Sequence, residues 1–153
     1  MGGYGGESGR EKGNAYLDTG GHKVKDQNAI AVGEYFIDRG KYVAFLQEKP
    51  NQQNRADLSV EGVHIEVKGM TSTNTGQVAK NIKKAFEQIE SDVKKYPSEK
   101  RIPGKVIILS KYQNIKTAYK IVLGGFRSAK AKGYVQGDVG LMHNGKLYWI
   151  GGK

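Results

Sequence analysis

The sequence predicts an α/β (α+β) fold in which a mixed central β-sheet is flanked by helices. Three observations predict it. Apolar residues recur at helical spacing in three segments, short apolar or alternating runs lie between those segments, and Asn144-Gly145 joins two alternating runs near the C-terminus. An Asn-Gly pair in that setting is a strong signal for a two-residue β-hairpin. Helices and strands therefore share one chain and one predicted core.

The predicted elements follow one another without an internal repeat. The first half of the chain is predicted to contain a helix over 28–39 that stops at Gly40, a buried strand over 42–46 and a hairpin over 55–68 that turns at Glu61-Gly62. A helix with N-cap candidates at 72–75 then ends at Tyr96-Pro97 and is followed by a buried strand over 105–110. The last elements are a helix over 114–132, which Gly124-Gly125 interrupts with a kink or divides into two short helices, and the C-terminal hairpin. We expect Trp149 in that last hairpin to be a core residue rather than a platform for base stacking.

Length and composition limit the possible functions. With 153 residues the chain is expected to form one domain over 22–153, preceded by a flexible Gly-rich segment over 1–21. The net charge of +10 suits a polyanionic partner. The chain has no Cys, which excludes disulfides, thiolate catalysis and Cys-based zinc sites. It also has no apolar run long enough for a membrane span.

The hairpin over 55–68 contains the main candidate site. Successive side chains of a strand point to opposite faces, so Glu66 and Lys68 share one face while Ile65 and Val67 lie on the other. If the two strands pair antiparallel, Asp57 lies beside this acid and this amine. The alternative is a solvated strand face whose charged side chains form a weak ion pair, worth about 0–1 kcal/mol.

Such a group of side chains is suited to phosphate chemistry with a metal. The carboxylates of Asp57 and Glu66, with the carbonyl of Val67, offer the oxygen ligands that hard cations prefer. Mg²⁺ fits these ligands well, and Mn²⁺ or Zn²⁺ could replace it. Lys68 would then orient the attacking water, help to deprotonate it, or stabilise the transition state, three roles that remain open.

This spacing resembles the PD-(D/E)XK nuclease signature, with Asp57 as the first acid, Glu66 as the second and Lys68 as the lysine. Ala56 stands where the named motif has proline, a position that supplies no ligand. The order of the surrounding elements, a helix and a strand before the hairpin and a helix and a strand after it, also resembles that family over about residues 27–110. The resemblance implies a restriction-endonuclease-like core and a metal-dependent endonuclease activity.

The resemblance also implies residues from the two neighbouring helices. Members of that family often place a further acid on the first helix, which here would be Glu34, with Asn28 or Gln27 as the alternatives. A second-helix contact to phosphate would come from three polar residues: Gln77, Lys80 and Lys84. His64 shares the strand face of Glu66, and we expect it to be a solvated strand histidine rather than a metal ligand.

A narrower resemblance concerns the chain as a whole. Small, basic, cysteine-free domains with a Gly-rich entry segment are similar to the C-terminal toxin domains of bacterial contact-dependent growth inhibition and related polymorphic toxin systems. That resemblance implies secretion as part of a larger bacterial carrier, delivery to the cytoplasm of a target cell, and cleavage of tRNA or DNA there. It also implies an acidic immunity protein as a partner, which would complement the positive charge.

Two other functions are consistent with the sequence. One is a cytoplasmic DNA endonuclease of the same fold, such as a junction resolvase or a repair or restriction enzyme. The other is a noncatalytic nucleic-acid-binding domain in which the acidic and basic residues are incidental. We favour tRNA as the substrate because positive charge is spread over several elements, although duplex DNA would satisfy the same pattern.

Overall fold

The structure, a computed structural model, describes residues 9–11, 15–18, 26–46, 57–70, 73–95, 104–111 and 114–153. Within these ranges it contains three helices and eight strands. In chain order they are β1 (Gly9–Glu11), β2 (Ala15–Asp18), α1 (Gln27–Ile37), β3 (Val43–Phe45), β4 (Leu58–Val60), β5 (Val63–Gly69), α2 (Thr75–Lys95), β6 (Lys105–Ser110), α3 (Ile115–Ala131), β7 (Val139–His143) and β8 (Lys146–Gly151).

The strands form one mixed sheet in which spatial order follows chain order from β1 to β8. Strands β5, β6 and β7 are parallel to one another, and their connections are helices α2 and α3. Strands β3, β4 and β5 are antiparallel neighbours, and β8 pairs antiparallel with β7. The predicted α+β class with a mixed, helix-flanked sheet is confirmed.

Successive side chains of each strand point to opposite faces of the sheet, and this divides the core into two layers. Ile107 and Leu109 of β6 pack with the buried residues of α1, whereas Val106 and Ile108 of the same strand pack with those of α2 and α3. Helix α1 therefore covers one face of the sheet, and the α2–α3 pair covers the other. Both faces of β5 lie under helices, which excludes water from the middle of that strand. None of the helices that the structure describes has the length and apolar character needed to cross a bilayer.

Both predicted hairpin turns are present. Glu61 and Gly62 have φ angles of 49° and 85°, and Asn144 and Gly145 have φ angles of 49° and 74°. Two successive residues with positive φ are typical of a type I′ turn, whose twist matches that of the paired strands. The first of these turns places β4 beside β5 in the register that pairs Leu58 with Ile65.

The predicted division of the third helix into two short helices is wrong, because α3 is continuous from Ile115 to Ala131. Its two glycines are packing residues. A Cβ at Gly125 would lie 2.5 Å from Cγ1 of Val78, and one at Gly124 would lie 2.9 Å from Cγ2 of Thr75. The missing side chains let α2 approach α3 closely, and the tertiary contact compensates for the low helix propensity of glycine.

Two further observations concern the ends of the chain. Within the Gly-rich segment the structure describes two short strands, β1 and β2, and β2 pairs parallel with β3 near the edge of the sheet. Strands pair through hydrogen bonds between backbone groups, so β1 and β2 can form without an alternating apolar pattern in the sequence. Trp149 is 47% exposed rather than in the core, because β8 is an edge strand and α1 does not extend over it. Its ring covers Gly140 on β7.

Candidate active site

Asp57 is held at the point where β4 begins. Continuing the register of β4 and β5 by one residue places Asp57 opposite Glu66. There the Asp57 side chain takes the place of a backbone acceptor on β4, because its Oδ2 accepts a hydrogen bond of 2.8 Å from the backbone N–H of Val67. This bond fixes the carboxylate at the open edge of β5, where a backbone donor would otherwise lack a partner.

Glu66 and Lys68 lie on the same face of β5, as alternation predicts. Nζ of Lys68 lies 3.1 Å from Oε2 of Glu66, and the two side chains are 28% and 3% exposed. The other carboxylate oxygen of Glu66, Oε1, is buried and receives no hydrogen bond from the described residues. A buried carboxylate oxygen without a donor costs free energy, so it indicates a position that a proton or a cation can satisfy.

The two carboxyl groups hold negative charge poorly on their own. Burial, and after it the charge of Asp57, raise the pKa of Glu66 to about 8 against the opposing effect of Lys68. Burial likewise raises the pKa of Asp57 to about 6, against the lowering effect of the Val67 hydrogen bond. At neutral pH the pair therefore tends to retain a proton. Placing a cation between the carboxylates would favour release of that proton.

The donor set fits a hard divalent cation. Asp57 and Glu66 supply carboxylate oxygens, and the carbonyl of Val67 faces the same edge as its N–H, because both groups of a strand residue point to the same side. Within the described ranges, however, no group of three or more His, Asp or Glu side chains forms a metal cluster. Two carboxylates and one carbonyl would leave further coordination positions for water and for substrate oxygens.

Helix α1 approaches this site with its N-terminal end rather than with the predicted Glu34. Asp26, the N-cap residue, is the α1 acid whose charge raises the pKa of Asp57. Glu34 lies eight residues further along the helix, a rise of about 12 Å. Of the predicted alternatives, Asn28 lies beside the end of β5, where its Nδ2 would be 3.1 Å from a Cβ on Gly69. Its Oδ1 is buried without a hydrogen bond in the described part of the chain.

A cleft of about 420 Å³ opens beside Lys68, between β5 and the flank of α2, and we call it the Lys68 cleft. The residues of α2 that line it are Lys84, Glu87, Gln88 and Ser91. No ion pair or hydrogen bond with another described residue engages the Lys84 ammonium. The cleft thus opens beside Lys68, the ion-pair partner of Glu66, and its α2 wall carries Lys84, a cation that no described residue pairs.

The other two predicted phosphate ligands lie nearer the start of α2. Lys80 is exposed one turn before Lys84, on the same side of the helix. Gln77 is half-buried, and its Nε2 donates a hydrogen bond of 3.1 Å to Oδ1 of Asn81. The structure therefore brings Lys84 to the cleft, leaves Lys80 on the adjoining surface, and engages Gln77 within its own helix.

His64 is not the solvated residue that the sequence predicts. Its side chain is 5% exposed, and its Nδ1 lies 2.8 Å from Oδ2 of Asp92, which is completely buried. Helix α2 runs antiparallel to β5, so its last turns reach the first residues of the strand. The His64–Asp92 contact ties the helix to the strand next to Glu66 and supports one wall of the Lys68 cleft.

Three residues of this region, Asp26, Gln88 and Asp92, are not among the predicted site residues. Asp26 could have been found as an N-cap, because its side chain accepts hydrogen bonds from the backbone N–H groups of Asn28 and Ala29. Asp92 and Gln88 give no local signal, since they become relevant only when α2 folds back over β5. In comparisons with known proteins, no family model, no curated protein and no solved structure matched the chain.

Proposed function

We propose that this protein is a metal-dependent nuclease that hydrolyses phosphodiester bonds. The observation that carries the proposal is the convergence of Asp57, Glu66 and Lys68 at one edge of β5, with an oxygen of Glu66 buried and without a donor among the described residues. An ordinary surface ion pair would not need a buried carboxyl group, that of Glu66, beside the half-buried carboxyl group of Asp57. Their mutual repulsion is costly for the fold, which favours a role in binding a cation.

A divalent cation bound here would stabilise the negative charge that develops during phosphodiester hydrolysis and would increase the acidity of a bound water. Asp57 and Glu66 would hold it, with Asp57 oriented by the N–H of Val67. Lys68 reaches from Glu66 into the cleft, so its ammonium can contact both the acid and an entering phosphate. Lys84 on the opposite wall would position a phosphate without taking part in bond cleavage.

The broader role is that of an antibacterial toxin domain that acts on tRNA. Support for a polyanionic substrate comes from the net charge of +10 and from Lys84 in the cleft, which has no ion-pair partner in the described part of the chain. In this role a larger bacterial carrier would deliver the domain to the cytoplasm of a target cell. An acidic immunity protein would protect the producing cell by covering the Lys68 cleft.

Cleavage assays with purified protein test the enzymatic proposal. Total tRNA, duplex DNA and branched DNA are each incubated with the protein in Mg²⁺, Mn²⁺ or EDTA. We expect metal-dependent cleavage of tRNA by the wild type and a loss of at least about 100-fold in Asp57→Asn and Lys68→Met, in line with the loss of an electrostatic group from an active site. Lys94→Ala is the matched control, because Lys94 pairs with Glu90 on the exposed face of α2.

The outcomes separate the candidate functions. Cleavage of DNA but not of tRNA would indicate a DNA endonuclease of the same fold. Salt-sensitive binding without cleavage under any metal condition would contradict the nuclease proposal and favour a noncatalytic nucleic-acid-binding domain. Induced expression in bacteria tests the toxin role: growth arrest by the wild type that Asp57→Asn abolishes supports it, and unimpaired growth with the active wild type contradicts it.

A further inference from the structure

A second cavity, of about 380 Å³, lies between the first two turns of α3 and strand β8. We call it the α3–β8 cavity. Its volume is within the range of about 300–1,000 Å³ that is typical of ligand pockets. The lining residues are Ile115, Lys116, Thr117, Tyr119, Lys120 and Tyr148. None of them belongs to the Lys68 cleft, so this is a separate feature on the same side of the sheet.

The two lysines of this cavity have no counter-charge among the described residues. Lys116 and Lys120 are four residues apart and therefore neighbours on the helix surface, where like charges destabilise a helix. No ion pair or hydrogen bond with another described residue engages either ammonium group. Helix α3 contains no acid, and in residues 101–153 ten Lys and Arg residues accompany one acid, Asp138. An anion from outside the chain would satisfy both groups.

The walls between these cations are aromatic and apolar. Tyr119 is 37% exposed although it lies on a helix with a well-formed buried face, and the ring of Tyr148 is half-buried on β8. A flat aromatic surface beside unpaired lysines is the combination that holds a nucleotide, because a base stacks on the ring while the phosphate meets the ammonium. A simple inorganic anion would use the lysines and leave the tyrosines without a role.

Strand register relates this cavity to the candidate active site. Lys68 pairs with Ile108, Ile108 pairs with Leu141, and Leu141 pairs with Tyr148. Lys68 and Tyr148, one residue from each cavity, therefore lie in one row of paired strand residues, three interstrand spacings or about 14 Å apart along the sheet. A strand that advances about 3.4 Å per nucleotide covers that distance in about four steps. One substrate molecule can therefore reach both.

We propose that the α3–β8 cavity is a second contact site for the nucleic-acid substrate, which stacks a base on Tyr119 and places phosphates on Lys116 and Lys120. This inference rests on the proposed nuclease function and adds a positioning site remote from the reacting bond. Its role is to hold the strand while the phosphodiester linkage several nucleotides away lies in the Lys68 cleft. The residues of this site contribute binding and not chemistry.

The test measures binding without cleavage. Affinities for fluorescein-labelled tRNA and for a short labelled single-stranded RNA are measured by anisotropy in EDTA, over a series of salt concentrations. We compare the wild type with Lys116→Ala/Lys120→Ala and with Tyr119→Ala. The matched control is Arg127→Ala/Lys132→Ala, which removes two exposed charges from the other end of the same helix. Circular dichroism verifies that each variant is folded.

We expect Lys116→Ala/Lys120→Ala to reduce the slope of log affinity against log salt by about 1.4–1.8, as the loss of two phosphate contacts requires. Tyr119→Ala should weaken binding about tenfold with little change in slope, because stacking is not an ionic contact. The control should retain the wild-type slope. Equal losses in the control would indicate a diffuse effect of charge and overturn the proposal, as would unchanged binding in the lysine variant.

Two further measurements separate the alternatives. If a free nucleoside 5′-monophosphate binds in a Lys116- and Lys120-dependent manner while RNA binding is unaffected, the cavity holds a small nucleotide and the strand-binding proposal is wrong. Cleavage of tRNA in Mg²⁺ is measured separately. If the wild type cleaves tRNA and the lysine variant binds RNA as well as the wild type does, the second site is refuted and the nuclease function is not. If the wild type does not cleave tRNA and the lysine variant binds RNA more weakly, the nuclease function is refuted and the second site is not.

Discussion

Replacing Glu66 by glutamine should make the fold more stable at alkaline pH, although it removes a residue of the proposed active site. The pKa of this buried carboxyl is raised from 4.5 to about 8, so the folded state retains a proton that the unfolded chain releases between those values. Stability from this group is therefore full below about pH 4.5 and is lost as the pH rises to about 8. The neutral amide of the Glu66→Gln variant does not ionise, so the variant should not show that loss.

The magnitude follows from the same pKa values. A carboxyl whose pKa moves from 4.5 to about 8 can cost the fold up to about 5 kcal/mol once it is ionised. Part of this is offset because Lys68 loses its partner in the variant, although its side chain is 28% exposed and can be hydrated. We expect a net gain of about 2–3 kcal/mol at about pH 9 and a difference of less than about 1 kcal/mol at about pH 5.

Urea denaturation in EDTA at both pH values measures this difference. Glu90→Gln is the control, because that glutamate is 68% exposed and its loss should change stability by no more than about 0.5 kcal/mol at either pH. The decisive quantity is the change in the Glu66→Gln effect between the acidic and the alkaline measurement. If that effect does not increase with pH, Glu66 is not the buried, charge-repelled carboxyl described above.

Three other predictions concern the stability of the folded protein. Mg²⁺ at millimolar concentration should raise the Tm of the wild type at about pH 8 but not that of Glu66→Gln, and an equal rise in both would argue against the metal site. Asp92→Ala should destabilise the protein by about 3–5 kcal/mol, because it leaves His64 buried without its acidic partner; a loss below about 1 kcal/mol would contradict this. Gly125→Leu should cost about 1–3 kcal/mol by overpacking against Val78, a result that a wild-type urea midpoint would refute.

Local rules account for much of the fold. The helices could be located because apolar residues recur at helical spacing, and both hairpins could be located because Gly62 and the pair Asn144-Gly145 favour positive φ. The shared face of Glu66 and Lys68 follows from strand alternation alone. The wrong predictions concerned the tertiary surroundings of single residues. Gly125 suggested an interrupted helix because its packing partner Val78 lies in another helix, and Trp149 suggested a core residue because nothing local shows where the sheet ends.

The candidate site likewise has features that local sequence predicts and features that depend on tertiary packing. Residue type and the two-residue spacing of Glu66 and Lys68 were enough to place these two side chains together. Asp57 could be added because the antiparallel pairing of a short hairpin is a local property. Only the tertiary structure decided how these groups are solvated: helix α2 covers Glu66 and pairs Asp92 with His64, and the N-terminus of α1 brings Asp26 rather than Glu34 towards Asp57. Burial and long-range charge depend on which elements pack together, and periodicity along one strand carries no information about its neighbours.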